Sequence, residues 1–302
     1  MTAEEIERRL IENDALFNNI LVIEQDFDII PRDKPHLGAS ITFQDIRPLR
    51  KSFLEQLVDT VVDWVYGSEK YKELRDQFKK SGKSDAAAAS EIIRKASQKF
   101  RKSDDTLLAQ GQLGELLLFH FIQRYKKAIP ILRKMPITTS SAHERYGADA
   151  IHYKIENGKN IIILGEAKAY TSKYKFGAAF EDAVKSILST YDGIRDEMNL
   201  YLHEDFLDKE VDAVAEAFLS NTLPNVEMNR VCLVMYSENE RIILNSENEI
   251  KEQIERIIEQ RYNSFDNGKI DIENNPILKR VTYIVFPVWE FDALAKEFQD
   301  ML

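Results

Sequence analysis

The stretch GADAIHYKIENGKNIIILGEAK, residues 147–168, decides how the most polar strands of this chain are arranged. Asn157-Gly158 is a favoured pair for a two-residue hairpin loop, and apolar residues flank it on both sides. We therefore predict two antiparallel strands in which Glu156 pairs with Lys159. In that register the residue numbers of every pair sum to 315.

Two acidic side chains face each other in this register. Asp149 lies directly opposite Glu166, and Lys168 points to the same face because strand side chains alternate. Opposed like charges destabilise a β-ribbon. At about 5 Å and an effective dielectric near 20, two carboxylates repel by roughly 3 kcal/mol. Three arrangements would offset that cost: protonation of one carboxylate, a lysine between them, or a divalent cation bound to both.

A hard cation suits these side chains. Mg²⁺ takes oxygen ligands, keeps several waters, and is usually held by one or two carboxylates together with a substrate phosphate. The metal would stabilise developing charge on the phosphate and lower the pKa of a bound water, which Lys168 would orient or deprotonate. The backbone carbonyl of Ala167 is a further candidate ligand. A simpler alternative also stays open, in which Asp149 and Glu166 only bracket Lys168 in a solvated hairpin.

A further acid lies in the run GQLGELLLFHF, inside a helix that we predict over residues 104–125. Glu115 stands among leucines, where burying an unpaired carboxylate would be costly. Alternatively, Glu115 and Gln112 are one helical turn apart and share a solvent-exposed edge. Gly111 and Gly114 weaken the helix relative to alanine, which indicates close packing of another element against them.

Length and composition bound the class of protein. With 302 residues the chain can bury a large core without covalent links, and its one cysteine, Cys232, lies in the apolar run VCLVMY as a small buried hydrophobe. No run of about twenty apolar residues is present, and the first residues form a charged helix rather than a signal peptide. We expect a cytoplasmic protein without membrane contact.

The charge is unevenly distributed along the chain. The formal net charge is −10, yet residues 94–175 carry 16 Lys and Arg against 7 Asp and Glu. A basic segment that contains the paired acids is compatible with phosphate contact at one face of the protein. Chance clustering on a solvated surface explains the same counts equally well.

The order of predicted elements is that of an α/β protein with a mixed sheet flanked by helices. From residue 104 to the end, the predicted order is a helix, the hairpin, a second helix, and then strand, helix, strand and helix. The polar, alanine-rich residues 79–105 read as a mobile or partner-ordered linker. We therefore divide the chain into an amino-terminal accessory region, 1–100, and a core domain, 101–302.

These residues resemble the active-site signature of the PD-(D/E)xK nuclease superfamily. Glu115 on a helix, Asp149 on one strand and Glu166-Ala167-Lys168 on the next follow its order and spacing, although Ala148 replaces the proline of the motif. The resemblance implies a restriction-endonuclease-like core. It also implies that Asp149, Glu166 and Glu115 bind Mg²⁺ or Mn²⁺, and that Lys168 assists the attacking water.

More narrowly, the segments GELLLFHF, RYGADAIHY and LGEAKAY are similar to the HamA family, the nuclease subunits of the Hachiman anti-phage system. That resemblance implies a metal-dependent DNase restrained and activated by a superfamily 2 helicase of the HamB kind, which residues 1–100 would contact. The sequence contains no GxxxxGK[ST] P-loop, so an ATP-driven step belongs to another chain. Two alternatives remain: a catalytically silent binding subunit of a helicase complex, and a stand-alone restriction-type endonuclease.

Overall fold

The protein is an α/β fold in which one seven-stranded mixed sheet carries helices on both faces. The computed structural model describes residues 1–100, 106–132, 148–170, 176–201 and 209–302. Its helices and strands, in chain order, are α1 (Ala3–Glu7), α2 (Asp14–Phe17), β1 (Ile20–Glu24), β2 (Leu37–Ile41), β3 (Phe43–Gln44), β4 (Arg47–Pro48), α3 (Arg50–Asp59), α4 (Val61–Lys80), α5 (Asp85–Ser97), α6 (Thr106–Lys126), β5 (Ile129–Leu132), β6 (Ala150–Glu156), β7 (Lys159–Tyr170), α7 (Phe176–Tyr201), α8 (Lys209–Leu219), β8 (Val226–Ser237), α9 (Glu247–Asn263), β9 (Val281–Val288) and α10 (Phe291–Met301).

The strand order of the main sheet is β1-β2-β9-β8-β7-β6-β5. β7, β8, β9 and β2 run parallel, whereas the pairs β1 with β2, β5 with β6 and β6 with β7 are antiparallel. The carboxyl ends of β7, β8 and β9 therefore lie at one edge of the sheet, which we call the carboxyl edge. The predicted mixed sheet flanked by helices is confirmed, and ligands in such folds bind outside this edge.

The hairpin of residues 147–168 has the predicted turn. Asn157 and Gly158 have φ angles of 52° and 73°, as a two-residue primed turn requires. The ladder runs without interruption from Glu156↔Lys159 to Ala150↔Gly165, so the paired numbers sum to 315 throughout.

One residue further, the register changes. The backbone N–H of Asp149 donates to the carbonyl of Gly165 at 3.0 Å, although Gly165 already pairs with Ala150. Ala148 consequently joins the core cluster of Ile151, one of the odd-numbered residues of β6, so side-chain alternation breaks here. The predicted direct pairing of Asp149 with Glu166 was therefore wrong, because an irregularity of the β-bulge kind ends the ladder at Ala150.

Close packing of α6 on the sheet depends on two glycines. A Cβ atom on Gly114 would lie 3.5 Å from the Cβ of Ala167, in ordinary contact, whereas one on Gly111 would meet nothing within 4 Å. Gly114 thus packs against β7 as predicted, although an alanine would also fit there, and the close packing predicted at Gly111 was wrong. Gly165 is tighter still, since a Cβ there would lie 2.8 Å from Ile122 of α6.

The stretch predicted to be a linker contains a helix. α5 begins where Ser84 accepts a hydrogen bond from the N–H of Ala87, and its alanines favour helix. Ala88, Ile92 and Ala96, spaced four residues apart, are all buried, and α5 packs along α4. The linker prediction was wrong for residues 85–97, and residues 101–105 lie outside the described part of the chain.

The amino-terminal region contributes to the main sheet rather than standing wholly apart from it. β1 and β2 extend the sheet beyond β9, and the side chains of Leu16, Leu37 and Phe53 join the same core cluster as α6. β2 was not predicted, because its sequence LGASI lacks a continuous apolar run. The proposed boundary at residue 100 is therefore not a division between two sheets.

Candidate functional site

Strand β7 brings an acid and a lysine to the carboxyl edge. Glu166 and Lys168 alternate with Ala167, so they point to the face of the sheet that α7 covers while Ala167 points toward α6. Glu166 is 5% exposed, and the Lys168 side chain is 30% exposed. A buried carboxylate thus lies beneath a lysine that reaches solvent.

Glu166 is held by two donors on one oxygen. The hydroxyl of Ser186, on α7, donates to its Oε1 at 2.5 Å, and the ammonium of Lys168 lies 2.8 Å from the same atom. Burial raises the pKa of Glu166, and the negative charge of Asp149 raises it further, against the opposing effects of Lys168 and Ser186. Glu166 therefore binds a proton more readily than an exposed glutamate does, mainly because it is buried.

Asp149 is held by the backbone of the opposite strand. Its Oδ2 accepts a 2.9 Å hydrogen bond from the N–H of Ala167, and the residue is 9% exposed. The changed register permits this bond. The regular ladder ends at Ala150, so the side chain of Asp149 can reach the backbone of β7. A hydrogen bond between a charged acceptor and a backbone amide is among the stronger kinds in proteins.

Lys168 stays charged in this setting. Burial alone would lower the pKa of Lys168, but the charge of Glu166, their hydrogen bond and the charge of Asp149 outweigh it and raise that pKa above the usual value. Three arrangements were considered above for the facing acids. Among the protein's own groups, the structure shows the one with a lysine: Lys168 binds Glu166, while Asp149 accepts a hydrogen bond from a backbone amide.

Glu115 lies on the other side of the sheet. It follows Gly114, whose backbone contacts Ala167, so α6 places it near the carboxyl edge but on the face opposite Glu166. Gln112 is 6% exposed, so the shared solvent-exposed edge proposed for Gln112 and Glu115 was wrong. Among the residues that the structure describes, no group of three or more His, Cys, Asp or Glu side chains is arranged to hold a metal ion.

The structure thus brings Asp149 and Glu166 together with Lys168. Among the described residues, Glu115 does not complete a set of three metal ligands with the two other acids. The pair by itself fits a hard divalent cation. Both donors are carboxylates, which Mg²⁺ prefers, and one or two carboxylates are its usual protein contribution. The raised pKa of Glu166 also identifies a place where added positive charge would be stabilising.

Ser186 is the site residue that sequence reasoning missed. It lies on α7, twenty residues after Glu166, in a polar position of an otherwise ordinary amphipathic helix. Its spacing from Glu166 carries no motif, so only the packing of α7 on β7 reveals it. His143, which precedes β6 in the sequence, and Lys173 and Lys175, which follow β7, lie outside the described residues, and Lys185 is an exposed partner of Glu181.

The basic segment does not form one face beside these acids in the part of the chain that is described. Lys126 donates to Thr282, Lys154 pairs with Glu156, and Lys159 pairs with Glu227. These contacts lie at the beginnings of β7, β8 and β9, the edge opposite the candidate site. These three lysines therefore bind neighbouring side chains at the far edge, Lys154 and Lys159 in ion pairs and Lys126 through a hydrogen bond.

The fold and site define an α/β protein with two buried acids and a lysine at the ends of adjacent strands. None of the helices within the described ranges is long and apolar enough to cross a membrane. The family model of HamA matches residues 14–302, nearly the whole chain, and the protein belongs to the HamA family. Membership indicates a component of an anti-phage defence system. No curated protein matches the chain.

Proposed function

We propose that this protein is the nuclease subunit of a Hachiman-type defence complex, a deoxyribonuclease that uses Mg²⁺ or Mn²⁺ and is restrained and activated by a superfamily 2 helicase. The observation that carries the proposal is the buried pair Asp149 and Glu166 with Lys168 bound to Glu166, at the carboxyl edge of a mixed sheet. Membership of the HamA family supports the defence role and a partner within that system.

In this proposal the chain's own residues divide the work of phosphodiester hydrolysis. Asp149 and Glu166 would hold the metal, which would supply a bound water of lowered pKa and stabilise negative charge on the phosphate. Lys168 lies on the solvent side of Glu166, where its ammonium would orient the attacking water and counter negative charge on the phosphate. Glu115, the third acid that the family resemblance implies, is not a direct ligand in this proposal, because α6 carries it on the opposite face of the sheet.

The test uses the protein in complex with its helicase partner, given linear and supercoiled DNA with Mg²⁺ or Mn²⁺. Glu166→Ala and Lys168→Ala each lower cleavage by at least about a hundredfold, the range expected for a general acid or base. Lys185→Ala is the matched control, because Lys185 is a 66% exposed lysine of α7 that pairs only with Glu181 among the described contacts. Thermal unfolding of each variant shows that folding is retained.

Undiminished cleavage by both variants would overturn the catalytic assignment. A wild-type complex that assembles but cuts no DNA with either metal would instead favour the alternative of a catalytically silent binding subunit. Cleavage at a recognition sequence without any helicase would favour a stand-alone endonuclease. Addition of a chelator, which removes the metal, separates metal-dependent cutting from contamination by other activities.

A further inference from the structure

Three large aliphatic side chains are exposed in two segments that a hydrogen bond joins near the carboxyl edge. Ile243 is 58% exposed and Leu244 is 49% exposed in the loop after β8, and Ile46 is 37% exposed at the tip of the β3–β4 hairpin. The hairpin tip adjoins this loop, because the N–H of Asp45 donates to the carboxylate of Glu247. Single exposed aliphatics are ordinary, but grouped ones mark interaction surfaces.

The loop that carries Ile243 and Leu244 is held in place. The side chain of Gln253, on α9, accepts from the N–H of Ile243 at 2.8 Å and donates to its carbonyl at 2.9 Å. The indole N–H of Trp289 donates to the carbonyl of Glu240 at 2.8 Å. The two aliphatic side chains are thus presented by a fixed backbone, which lowers the entropic cost of binding a partner.

Ile46 is exposed at a conformational cost. It and Asp45 form the two-residue loop of the β3–β4 hairpin, with φ angles of 58° for Ile46 and 45° for Asp45. A left-handed conformation costs a residue with a Cβ roughly 1–2 kcal/mol, and a β-branched residue there is an outlier. The Asn157-Gly158 turn of the same chain also has positive φ angles, but asparagine and glycine adopt them with less strain than isoleucine does. Strained, exposed apolar residues are typical of functional positions.

The charges around these three residues are mainly negative. The exposed charged residues next to them in the sequence include four acids, Asp45, Glu240, Glu247 and Glu249, and two arginines, Arg47 and Arg241, while Glu240 also pairs with Arg261. An acidic rim repels nucleic acid and also a second copy of the same surface. It attracts a protein surface on which Lys or Arg side chains border an apolar cleft.

We propose that Ile46, Ile243 and Leu244 form the docking surface for a protein partner with such a basic-rimmed apolar cleft. The inference rests on the proposed function in one respect, that the partner is the helicase subunit. The loop follows β8, the strand adjacent to β7, and its Ile242 packs in the same core cluster as α7 and α9. The loop leads from β8 toward the end of β9, where Trp289 donates to Glu240, so a partner bound here occupies the same carboxyl edge of the sheet as Glu166 and Lys168.

The experiment measures the affinity of the full-length protein for its purified helicase partner by calorimetry. The double variant Ile243→Ser, Leu244→Ser binds at least tenfold more weakly than the wild type. Val226→Ser is the matched control, because Val226 is a 37% exposed aliphatic residue at the start of β8, at the opposite edge of the sheet from this loop. The control variant binds as tightly as the wild type.

Ile46→Gly separates docking from folding. Glycine adopts positive φ without strain, so this variant unfolds at a higher temperature than the wild type while binding the helicase severalfold more weakly. A destabilised fold cannot explain weaker binding by a more stable protein. Binding as tight as that of the wild type, by this variant and by the double variant, would overturn the docking surface.

Two further outcomes distinguish this inference from the proposed function. If the wild-type protein does not bind the helicase at all, the proposed partner fails and the docking surface fails with it. If the wild type binds and both variants bind equally well, only the docking surface fails. A third outcome is that the double variant, without helicase, binds a DNA duplex more weakly than the wild type does, while its affinity for the helicase is unchanged. That result would show that the surface contacts DNA and would overturn the proposal of a protein partner.

Discussion

The carboxylate of Asp149 accepts a 2.9 Å hydrogen bond from the backbone N–H of Ala167, the residue between Glu166 and Lys168. A side chain of one strand thereby binds the backbone of the next at the point where the regular ladder has ended. The position of Asp149 relative to Glu166 therefore depends on this bond and on the changed register, rather than on direct strand pairing. The site's electrostatics follow from that placement.

Asp149→Asn is expected to lower the pKa of Glu166. Asparagine keeps an oxygen that accepts from Ala167, but it removes the negative charge that helps to raise that pKa. Carbon-13 NMR titration of the Glu166 carboxyl measures the change. Asp182→Asn, which removes an exposed acid from α7, is the control and leaves the pKa unchanged. An unaltered pKa in Asp149→Asn would contradict the electrostatic coupling described above.

Ser186→Ala is expected to raise the pKa of Glu166, because the lost hydrogen bond from Ser186 stabilises the charged form. In the proposed nuclease, the pH at which cleavage reaches half its maximum moves upward. Hydrogen bonds to charged groups contribute about 1.5–3 kcal/mol, so the maximal rate falls about tenfold or more if Glu166 is mispositioned. Ser189→Ala is the control, since the Ser189 hydroxyl donates to the carbonyl of Ser186 and not to Glu166. Equal pH profiles for the two variants would remove Ser186 from the site.

Two glycine substitutions are expected to change stability in opposite directions. Gly165→Ala places a Cβ 2.8 Å from Ile122 and 2.9 Å from the Cβ of Ala150, so it destabilises the fold by about 1–3 kcal/mol. Gly111→Ala meets nothing within 4 Å and stabilises α6 by up to about 1 kcal/mol. Urea unfolding measures both free energies. A Gly165→Ala protein as stable as the wild type would show that α6 can move away from β7.

Stability is expected to fall below neutral pH because of His36. Its Nε2 donates to the carbonyl of Pro31 at 2.9 Å and its Nδ1 accepts from the N–H of Tyr283 at 3.0 Å, so the folded protein holds the neutral ring. Burial lowers the pKa of His36 from 6.5 to about 4. The unfolded chain therefore takes up a proton first, and stability is lost as pH falls from 6.5 toward 4.

The loss from His36 amounts to about 2 kcal/mol at pH 5, since each pKa unit corresponds to about 1.4 kcal/mol. Urea unfolding at pH 7.5 and pH 5 measures it, with His36→Gln as the comparison. The variant is less stable at pH 7.5, because glutamine fits the two hydrogen bonds less well, but its stability changes less between the two pH values. A wild type and a variant with equal pH dependence would contradict the lowered pKa.

Much of the fold was predictable because its signals are local. The Asn157-Gly158 turn, the apolar runs of β8 and β9, and the periodic helices α9 and α10 each follow from neighbouring residues. Three of the elements that escaped prediction lack such a signal, whereas α8 has an amphipathic pattern and was missed nonetheless. β5 is only four residues long, β2 has no continuous apolar run, and α5 is polar enough to resemble a linker.

For the candidate site, the sequence by itself determined the hairpin, its turn, its register as far as Ala150, and the shared face of Glu166 and Lys168, because strand geometry alternates with a period of two. Tertiary structure decided the rest. The bond from Ala167 to Asp149 needs a change of register that no local pattern encodes, and Ser186 reaches Glu166 only because α7 packs on β7. Glu115 lies on the opposite face for the same reason: the packing of helices on a sheet depends on contacts between residues far apart in the chain.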